Sequence, residues 1–218
     1  MTVKENLLKL KQDLQNTPIK IIAVTKYTTV VKIIEAYEAG LRIFGESKIQ
    51  DVEKKFSELP EEIKTSAEWH LIGHLQTNKV KKAIGKFNLI HSVDSLKLAE
   101  RISSEAEKQN ILQDILLQVN ITGEESKHGF KKEDIQEKFQ EILELSHLNI
   151  KGFMTMAPLT NNEHIIRECF RGLKELKDKI HQQYNKNLPE LSMGMSNDYK
   201  IAIEEGSTMI RIGQKLFS

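Results

Sequence analysis

"KIIAVTKYTTVVKIIEAYEAG", residues 20–40, carries the pattern that decides the fold. Its first seven residues form an apolar run that predicts a buried β-strand ending in Lys26. The residues from 29 to 39 place their apolar side chains on one face of a helix, and Gly40 provides a C-terminal stop. The segment therefore predicts one strand followed by one helix.

The same unit recurs along the 218 residues of the chain. Seven more apolar runs follow the first, and several carry consecutive apolar residues, as parallel strands covered on both faces do. Charged segments of helical period separate the runs. The predicted strands are 20–26, 41–46, 69–73, 89–94, 115–120, 150–157, 190–195 and 208–213.

Eight such units without a surplus sheet predict an α/β fold, and they favour a closed (β/α)8 barrel of the TIM type over an open doubly wound sheet. Residues 1–218 are predicted to form a single domain, near the lower size limit of about 200 residues for this barrel. Only "QKLFS" follows the last strand, which is too short to cover it. We expect an extra N-terminal helix, at about 3–15, to fill that gap.

Composition and charge narrow the class of protein. Lys and Arg total 32 against 31 Asp and Glu, a balance that does not favour a nucleic-acid or membrane-surface partner. We find no apolar run of the roughly 20 residues that span a bilayer and no secretory signal pattern. The single cysteine, Cys169, excludes an internal disulfide and is expected to pack passively in a helix. These features predict a soluble cytoplasmic protein.

The functional site of such a barrel lies at the C-terminal ends of its strands. "MGMSND", 193–198, places Ser196 where a helix is predicted to begin, at about Asn197, and "RIG", 211–213, follows the neighbouring strand with Gly213. A hydroxyl and unpaired N–H groups there bind anions, and glycine permits close approach of the backbone. Either segment alone is a weak signal that fits an ordinary N-cap and turn better, but the two together on adjacent strands indicate a phosphate site.

Lys26 would lie at the same rim. An amine opposite a phosphate site is what a Schiff base with a phosphorylated aldehyde requires, and burial among apolar residues would help to supply the neutral amine. The alternative is a solvated lysine at the end of a strand. A barrel aldolase that uses Lys26 on a sugar phosphate is one further interpretation.

Two other segments carry candidate groups. In "WHLIGHLQTNK", 69–79, His70 and His74 have the spacing of zinc ligands on a helix, but His70 falls inside a strand and no carboxylate cluster is evident, so we expect no metal site. His74 is interpreted as a neighbour of a ligand ring or phosphate. Lys127, in "NITGEESKHGF", 120–130, reads as part of a mobile surface loop, with a second aldehyde-capturing amine as the alternative.

Together these motifs resemble the YggS/PROSC family of pyridoxal 5′-phosphate (PLP) homeostasis proteins. The resemblance runs from about residue 20 to the end, and its motifs occur in the family's order. The segments that carry it are "AVTK", "FGES", "WHLIGHLQTNK", "QVNITGEESKHG", "GFMTMAP" and "LSMGMSNDYKIAIEEGSTMIRIGQKLF".

The resemblance implies a barrel like the N-terminal domain of alanine racemase, with PLP as cofactor on Lys26. It also implies that Ser196 and Gly213 contact the phosphate, that Arg211 faces the pyridine nitrogen, and that Met154 lies near the cofactor. One position departs from the family pattern. Family members commonly have Gly-Glu-Asn after the second strand, and this chain has Ser47 in place of the asparagine, so that contact is not carried over.

Arg211 bears on what such a site would do. Arginine can only donate hydrogen bonds, so it would hold the pyridine nitrogen unprotonated and disfavour a strong carbanion sink. Since the sequence to Ser218 shows no second domain with another acid or base, we expect a non-enzymatic protein that buffers and delivers PLP. The alternative is a weak amino-acid racemase that takes a base from Tyr27, His74 or a partner chain. Expected partners are PLP and PLP-dependent apo-enzymes, and the expected state is a monomer.

Overall fold

The computed structural model describes residues 1–15, 17–124 and 127–218 and shows eight parallel strands closed into a barrel with helices around it. The strands are β1 (Lys20–Val24), β2 (Ile43–Glu46), β3 (Glu68–Leu71), β4 (Leu89–Val93), β5 (Gln113–Asn120), β7 (Leu148–Met154), β8 (Glu190–Met195) and β9 (Met209–Ile212). Each strand pairs with its neighbours in the order β1-β2-β3-β4-β5-β7-β8-β9, and β9 pairs with β1. A two-residue strand, β6 (Phe130–Lys131), lies beside the end of β5 outside the ring.

Helices follow the strands, and several of the longer ones lie where the apolar periodicity predicts them. They are α1 (Val3–Asp13), α2 (Val30–Glu38), α3 (Ile49–Glu58), α4 (Glu61–Ser66), α5 (Val80–Ala83), α6 (Leu96–Lys108), α7 (Lys132–Leu143), α8 (Glu163–Tyr184), α9 (Tyr199–Glu204) and α10 (Gln214–Phe217), with a short 3-10 helix at Thr77–Lys79. Among the described residues, no helix is both long and apolar enough to cross a bilayer. The predicted (β/α)8 fold is confirmed.

The extra N-terminal helix also lies where it was expected. Leu7 and Leu10 of α1 are buried in the main core. The side-chain amide of Asn6 donates to the carbonyl oxygens of Leu216 and Ser218, at 3.0 and 3.1 Å. Thus α1 packs against the short α10 and binds the end of the chain beside the last strand.

The barrel has an interior that is separate from its main core. Five strands each contribute one residue to an apolar cluster inside the ring, formed by Ile22, Leu89, Leu116, Met154 and Met209. The larger core, which includes Ala23 of β1, lies between the strands and the helices. Because side chains alternate along a strand, the residues in phase with Ile22 point into the barrel.

Candidate functional site

A cavity of about 980 Å³ opens at the C-terminal ends of the strands, as the fold predicts. Five of the six residues that the sequence singled out for a cofactor line it: Lys26, His74, Ser196, Arg211 and Gly213. The structure thus brings together side chains from four strand ends and from nearly the whole length of the chain.

The sixth residue, Met154, lies elsewhere. It is 1% exposed and packs in the interior cluster below the cavity floor, against residues such as Ile22 and Leu116. Met156, two positions later and beyond the end of β7, lines the cavity instead. The predicted strand ran to residue 157, whereas β7 ends at Met154. The predicted neighbour of the cofactor therefore lies two residues deeper in the barrel than the methionine that lines the cavity.

Lys26 follows β1 by two residues and continues the phase of Ile22 and Val24, so the strand delivers it to the cavity. Its ammonium group lies 4.9 Å from the centre of the Tyr27 ring. Contrary to the expectation of burial, Lys26 is exposed, because β1 ends at Val24 and residues 26–27 form a turn. The amine is therefore open to solvent and to the cavity together.

The backbone before Lys26 is held by a buried ion pair. Lys55 of α3 donates to the carboxylate of Glu46 and to the carbonyl oxygen of Thr25, and the Thr25 hydroxyl donates to the same carboxylate. Glu46 is fully buried, and its second oxygen has no hydrogen-bond partner among the described residues. Removal of one partner from such a pair leaves a buried charge uncompensated, so the group fixes the strand end rigidly.

The opposite side of the cavity is formed by the turns after β8 and β9. Ser196 and Gly213 both line it, and the Ser196 hydroxyl accepts a long hydrogen bond of 3.5 Å from the Lys215 backbone N–H. The predicted helix start at Asn197 is two residues early, because α9 begins at Tyr199. Asp198 precedes it and accepts from the Met195 backbone N–H, and burial raises the pKa of this carboxyl.

Gly213 has a packing reason to be glycine that the sequence did not show. A Cβ atom there would lie 3.3 Å from the Cβ of Val24 and 3.4 Å from its carbonyl oxygen. The backbone torsion at Gly213, φ −113°, is one that any residue adopts. The glycine therefore allows β9 and β1 to approach at the cavity wall.

Arg211 is 4% exposed and forms the inner wall of the cavity. Its Nη1 donates to the carbonyl and hydroxyl oxygens of Ser192, at 2.9 and 2.7 Å, and its Nη2 donates to the Thr155 carbonyl at 3.0 Å. Burial lowers the pKa of Arg211 to about 10, which still leaves it charged at neutral pH. These contacts use three of the five N–H donors of the guanidinium.

His74 belongs to a cluster at the cavity rim that the sequence did not reveal. Its Nδ1 lies 3.0 Å from Asp94, and the ring of His128 stacks on it at 4.0 Å and 13°. His128 Nδ1 is 3.8 Å from the same carboxylate. These three residues are the set of potential metal ligands that the described residues bring together. Because the rings are nearly parallel, one ion could not lie in both ring planes unless a side chain turned.

Other parts of the cavity also escaped the sequence reasoning. The loop after β7 supplies Leu159, which is 98% exposed, and β5 supplies Gln118. Ser47, the residue that departs from the family pattern, lines the cavity as well. Lys127 donates to Glu124 at 2.8 Å and to the Met156 carbonyl at 3.4 Å, while residues 125 and 126 of its loop lie outside the described residues.

The chain matches the family model for the N-terminal domain of alanine racemase over residues 2–218. It is 45% identical, over 198 residues, to the pyridoxal phosphate homeostasis protein of Aquifex aeolicus, covering 91% of this chain and 86% of that protein. It is 40% identical, over 199 residues, to the protein of the same name from Synechocystis, covering 91% and 90%.

Solved structures give the same picture. PipY of Synechococcus elongatus, determined with PLP bound, has a TM-score of 0.90 and 35% identity, with 100% of both chains covered. An alanine racemase of Clostridium difficile has a TM-score of 0.81 at 17% identity and covers 99% of this chain, which corresponds to 56% of the racemase. The likeness to the racemase concerns the fold alone.

Proposed function

This chain belongs to the family of pyridoxal phosphate homeostasis proteins, and from that premise we propose that it binds PLP on Lys26 and serves in PLP homeostasis. PLP supplies an aldehyde that condenses with a primary amine, together with a phosphate and a pyridine nitrogen that accept hydrogen bonds. The cavity presents a matching donor for each of these groups.

The donor set of the cavity supports this fit. Lys26 offers the amine, the turns at Ser196 and Gly213 offer a hydroxyl and backbone groups for the phosphate, and Arg211 offers N–H donors for the ring nitrogen. The volume of about 980 Å³ is at the upper end of typical small-molecule sites, which measure roughly 300–1,000 Å³. Met154 stays a predicted neighbour, and Met156 is the methionine at the cavity wall.

A carrier rather than an enzyme is the role that these residues support best, and Arg211 is the observation that carries it. Its guanidinium is fixed by Ser192 and Thr155 as a pure donor, so it favours an unprotonated ring nitrogen. An unprotonated ring withdraws electrons weakly and supports little carbanion chemistry. The exposure of Lys26 suits an amine that must also release its ligand.

Borohydride reduction followed by peptide mass spectrometry tests the attachment site. Protein incubated with PLP and reduced should carry a pyridoxyl group on the peptide that contains Lys26. A matched experiment follows Lys127, another lysine that contacts the cavity wall, through the Met156 carbonyl. Labelling at Lys127 with Lys26 unmodified would overturn the proposed site.

An amino-acid racemase is the second candidate, because Tyr27 and His74 line the same cavity as Lys26 and could each supply a proton. Incubation of the PLP-loaded protein with L-amino acids in deuterated water separates the two roles. We expect no catalytic deuteration at the α-carbon. Deuteration over many turnovers, lost in Tyr27→Phe or His74→Gln, would establish the enzyme instead.

The wider setting of this function is also a proposal. Delivery of PLP to PLP-dependent apo-enzymes is part of this proposal, and the exposure of the Lys26 amine supports it. A monomeric state and a cytoplasmic location stay predictions from the sequence. Light scattering of the PLP-loaded protein tests the first of these, with a mass of 25.1 kDa expected.

A further inference from the structure

A line of buried polar side chains crosses the barrel interior beneath Arg211. Ser192 of β8, His91 of β4 and His70 of β3 are each 2% exposed or less. Interior layers of such barrels consist mostly of branched aliphatic residues. A polar group in such a position lowers the stability of the folded protein unless it is hydrogen-bonded. The hydrogen-bond partners of these side chains therefore indicate their role.

The distances join these groups into one chain from the cavity to the opposite mouth of the barrel. Arg211 Nη1 lies 2.7 Å from Ser192 Oγ, which lies 2.9 Å from His91 Nδ1. His91 Nε2 is 3.0 Å from His70 Nδ1. His70 Nε2 is 3.4 Å from Glu68, whose side chain is 58% exposed and lines a second cavity, of about 530 Å³.

For neutral imidazoles, the carboxylate at the outer end sets the direction of every hydrogen bond in this chain. Glu68 can only accept, so His70 donates from Nε2 and is left with an acceptor at Nδ1. His91 then donates from Nε2 to His70, and its own Nδ1 accepts from the Ser192 hydroxyl. Arginine can only donate, so the Ser192 oxygen accepts from Arg211.

The charges around His91 agree with this assignment. Burial, with His70 and Arg211 as the charged or ionisable groups that face it, holds the pKa of His91 well below its ordinary value. The hydrogen bond from His70 lowers the pKa of Glu68 and keeps it an acceptor. With the Arg211 cation at one end of the chain and the Glu68 carboxylate at the other, a neutral His91 allows all the hydrogen bonds between Ser192 and Glu68 to point in the same direction.

We propose that Ser192, His91, His70 and Glu68 form a positioning relay that holds Arg211 as a donor toward the ligand cavity. The relay orders both imidazoles as Nε2–H tautomers and leaves two guanidinium N–H groups for the ligand. Only the role of the relay in directing Arg211 toward a pyridine nitrogen rests on the proposed PLP function. The direction of the hydrogen bonds in the relay is a property of the protein without ligand.

Nitrogen-15 NMR of the histidine rings in the PLP-free protein tests that polarity. With signals assigned through the backbone, His70 and His91 should each appear as a single neutral tautomer with the proton on Nε2 at pH 7.5. A buried histidine without these hydrogen bonds would not be restricted to the Nε2–H tautomer. A proton on His91 Nδ1, or averaging between tautomers, would overturn the relay.

A pair of serine variants tests the link to the ligand. Ser192→Ala removes the hydroxyl between Arg211 and His91, and it should free the His91 tautomer and weaken PLP binding about five- to tenfold, as the loss of one ordinary hydrogen bond implies. Ser92→Ala is the matched control, since Ser92 is equally buried on β4 but its hydroxyl has no partner among the described residues. It should leave both properties unchanged.

The outcomes separate the two proposals. If the wild-type protein does not bind PLP, the proposed function is wrong, but the histidine tautomers still show whether the relay exists. If PLP binds equally to wild type, Ser192→Ala and Ser92→Ala, the relay has no role toward the ligand and the proposed function stands. If Ser192→Ala does not fold, the tautomers of the wild-type protein remain the deciding measurement.

Discussion

Arg211 illustrates how a single residue acquires its role from position. The same side chain on the surface would be one of 32 cations in a nearly neutral chain. Buried in the barrel wall, with Ser192 and Thr155 as acceptors, it becomes a fixed donor at the inner end of the cavity. The proposed role of Lys26 depends instead on exposure, which leaves its amine accessible to incoming and outgoing ligand.

The buried His91 makes folding stability depend on pH. Its pKa is depressed in the folded state, while the unfolded chain titrates near 6.5, so below that pH the unfolded state binds more protons. The contribution of His91 to the free energy of unfolding should therefore be wholly present above pH 6.5. As the pH falls below 6.5, the free energy of unfolding should decrease by up to about 1.4 kcal/mol per pH unit. Urea unfolding of wild type and His91→Gln at pH 7.5, 6.5 and 5.5 measures this slope.

The variant should lose that part of the pH dependence, whatever its absolute stability. His164→Gln, in which the replaced ring is exposed on α8, serves as the control and should keep the wild-type slope. An equal slope in His91→Gln and wild type would show that the buried imidazole is not the titrating group.

At the scale of elements, the strands were predictable and the short helices were not. Runs such as residues 190–195 appear in the structure with the predicted bounds, because buried parallel strands need continuous apolar sequence. Helices α4 and α5 have six and four residues, too few for a periodic pattern. β6 has two residues and depends on its pairing with β5.

The candidate site divides in the same way. Residues at strand ends, such as Lys26 and Ser196, could be assigned to one face because the fold places all C-terminal ends together. The loop with Leu159 and the contact of His74 with Asp94 depend on tertiary packing, which leaves no mark in local sequence. The interior relay left only a faint signal, histidines in the middle of apolar runs.

Contact between the ends of β2 and β3 gives a prediction at this scale. A Cβ atom on Gly73 would lie 2.2 Å from the carbonyl oxygen of Ser47, so Gly73→Ala must displace one strand end. We expect a loss of about 1–3 kcal/mol in the free energy of unfolding, the usual cost of overpacking. Denaturant unfolding measures it, with Gly172→Ala as control, because the near neighbour there is a side-chain methyl of Ile121 at 3.0 Å. Equal costs in the two variants would contradict the tight contact.

At the scale of the whole molecule, α1 completes the ring of helices around the barrel. Asn6 joins it to the segment after β9 through two hydrogen bonds to backbone carbonyls. Asn6→Ala leaves a buried carbonyl without its donor and should cost about 1–3 kcal/mol of stability. Thermal unfolding checks this against Lys9→Ala, an exposed position on the same helix. If Asn6→Ala unfolds like Lys9→Ala, α1 does not secure the end of the chain.

The proposed function depends on Lys26 as the residue that holds PLP. Absorbance titration with PLP tests it directly in three proteins: wild type, Lys26→Ala and Lys20→Ala, which removes a lysine at the opposite end of the same strand. Wild type and Lys20→Ala should develop the long-wavelength band of lysine-bound PLP. Lys26→Ala should fold normally, because the side chain is exposed, and should lack that band. An undiminished band in Lys26→Ala, or its loss in Lys20→Ala alone, would contradict the account.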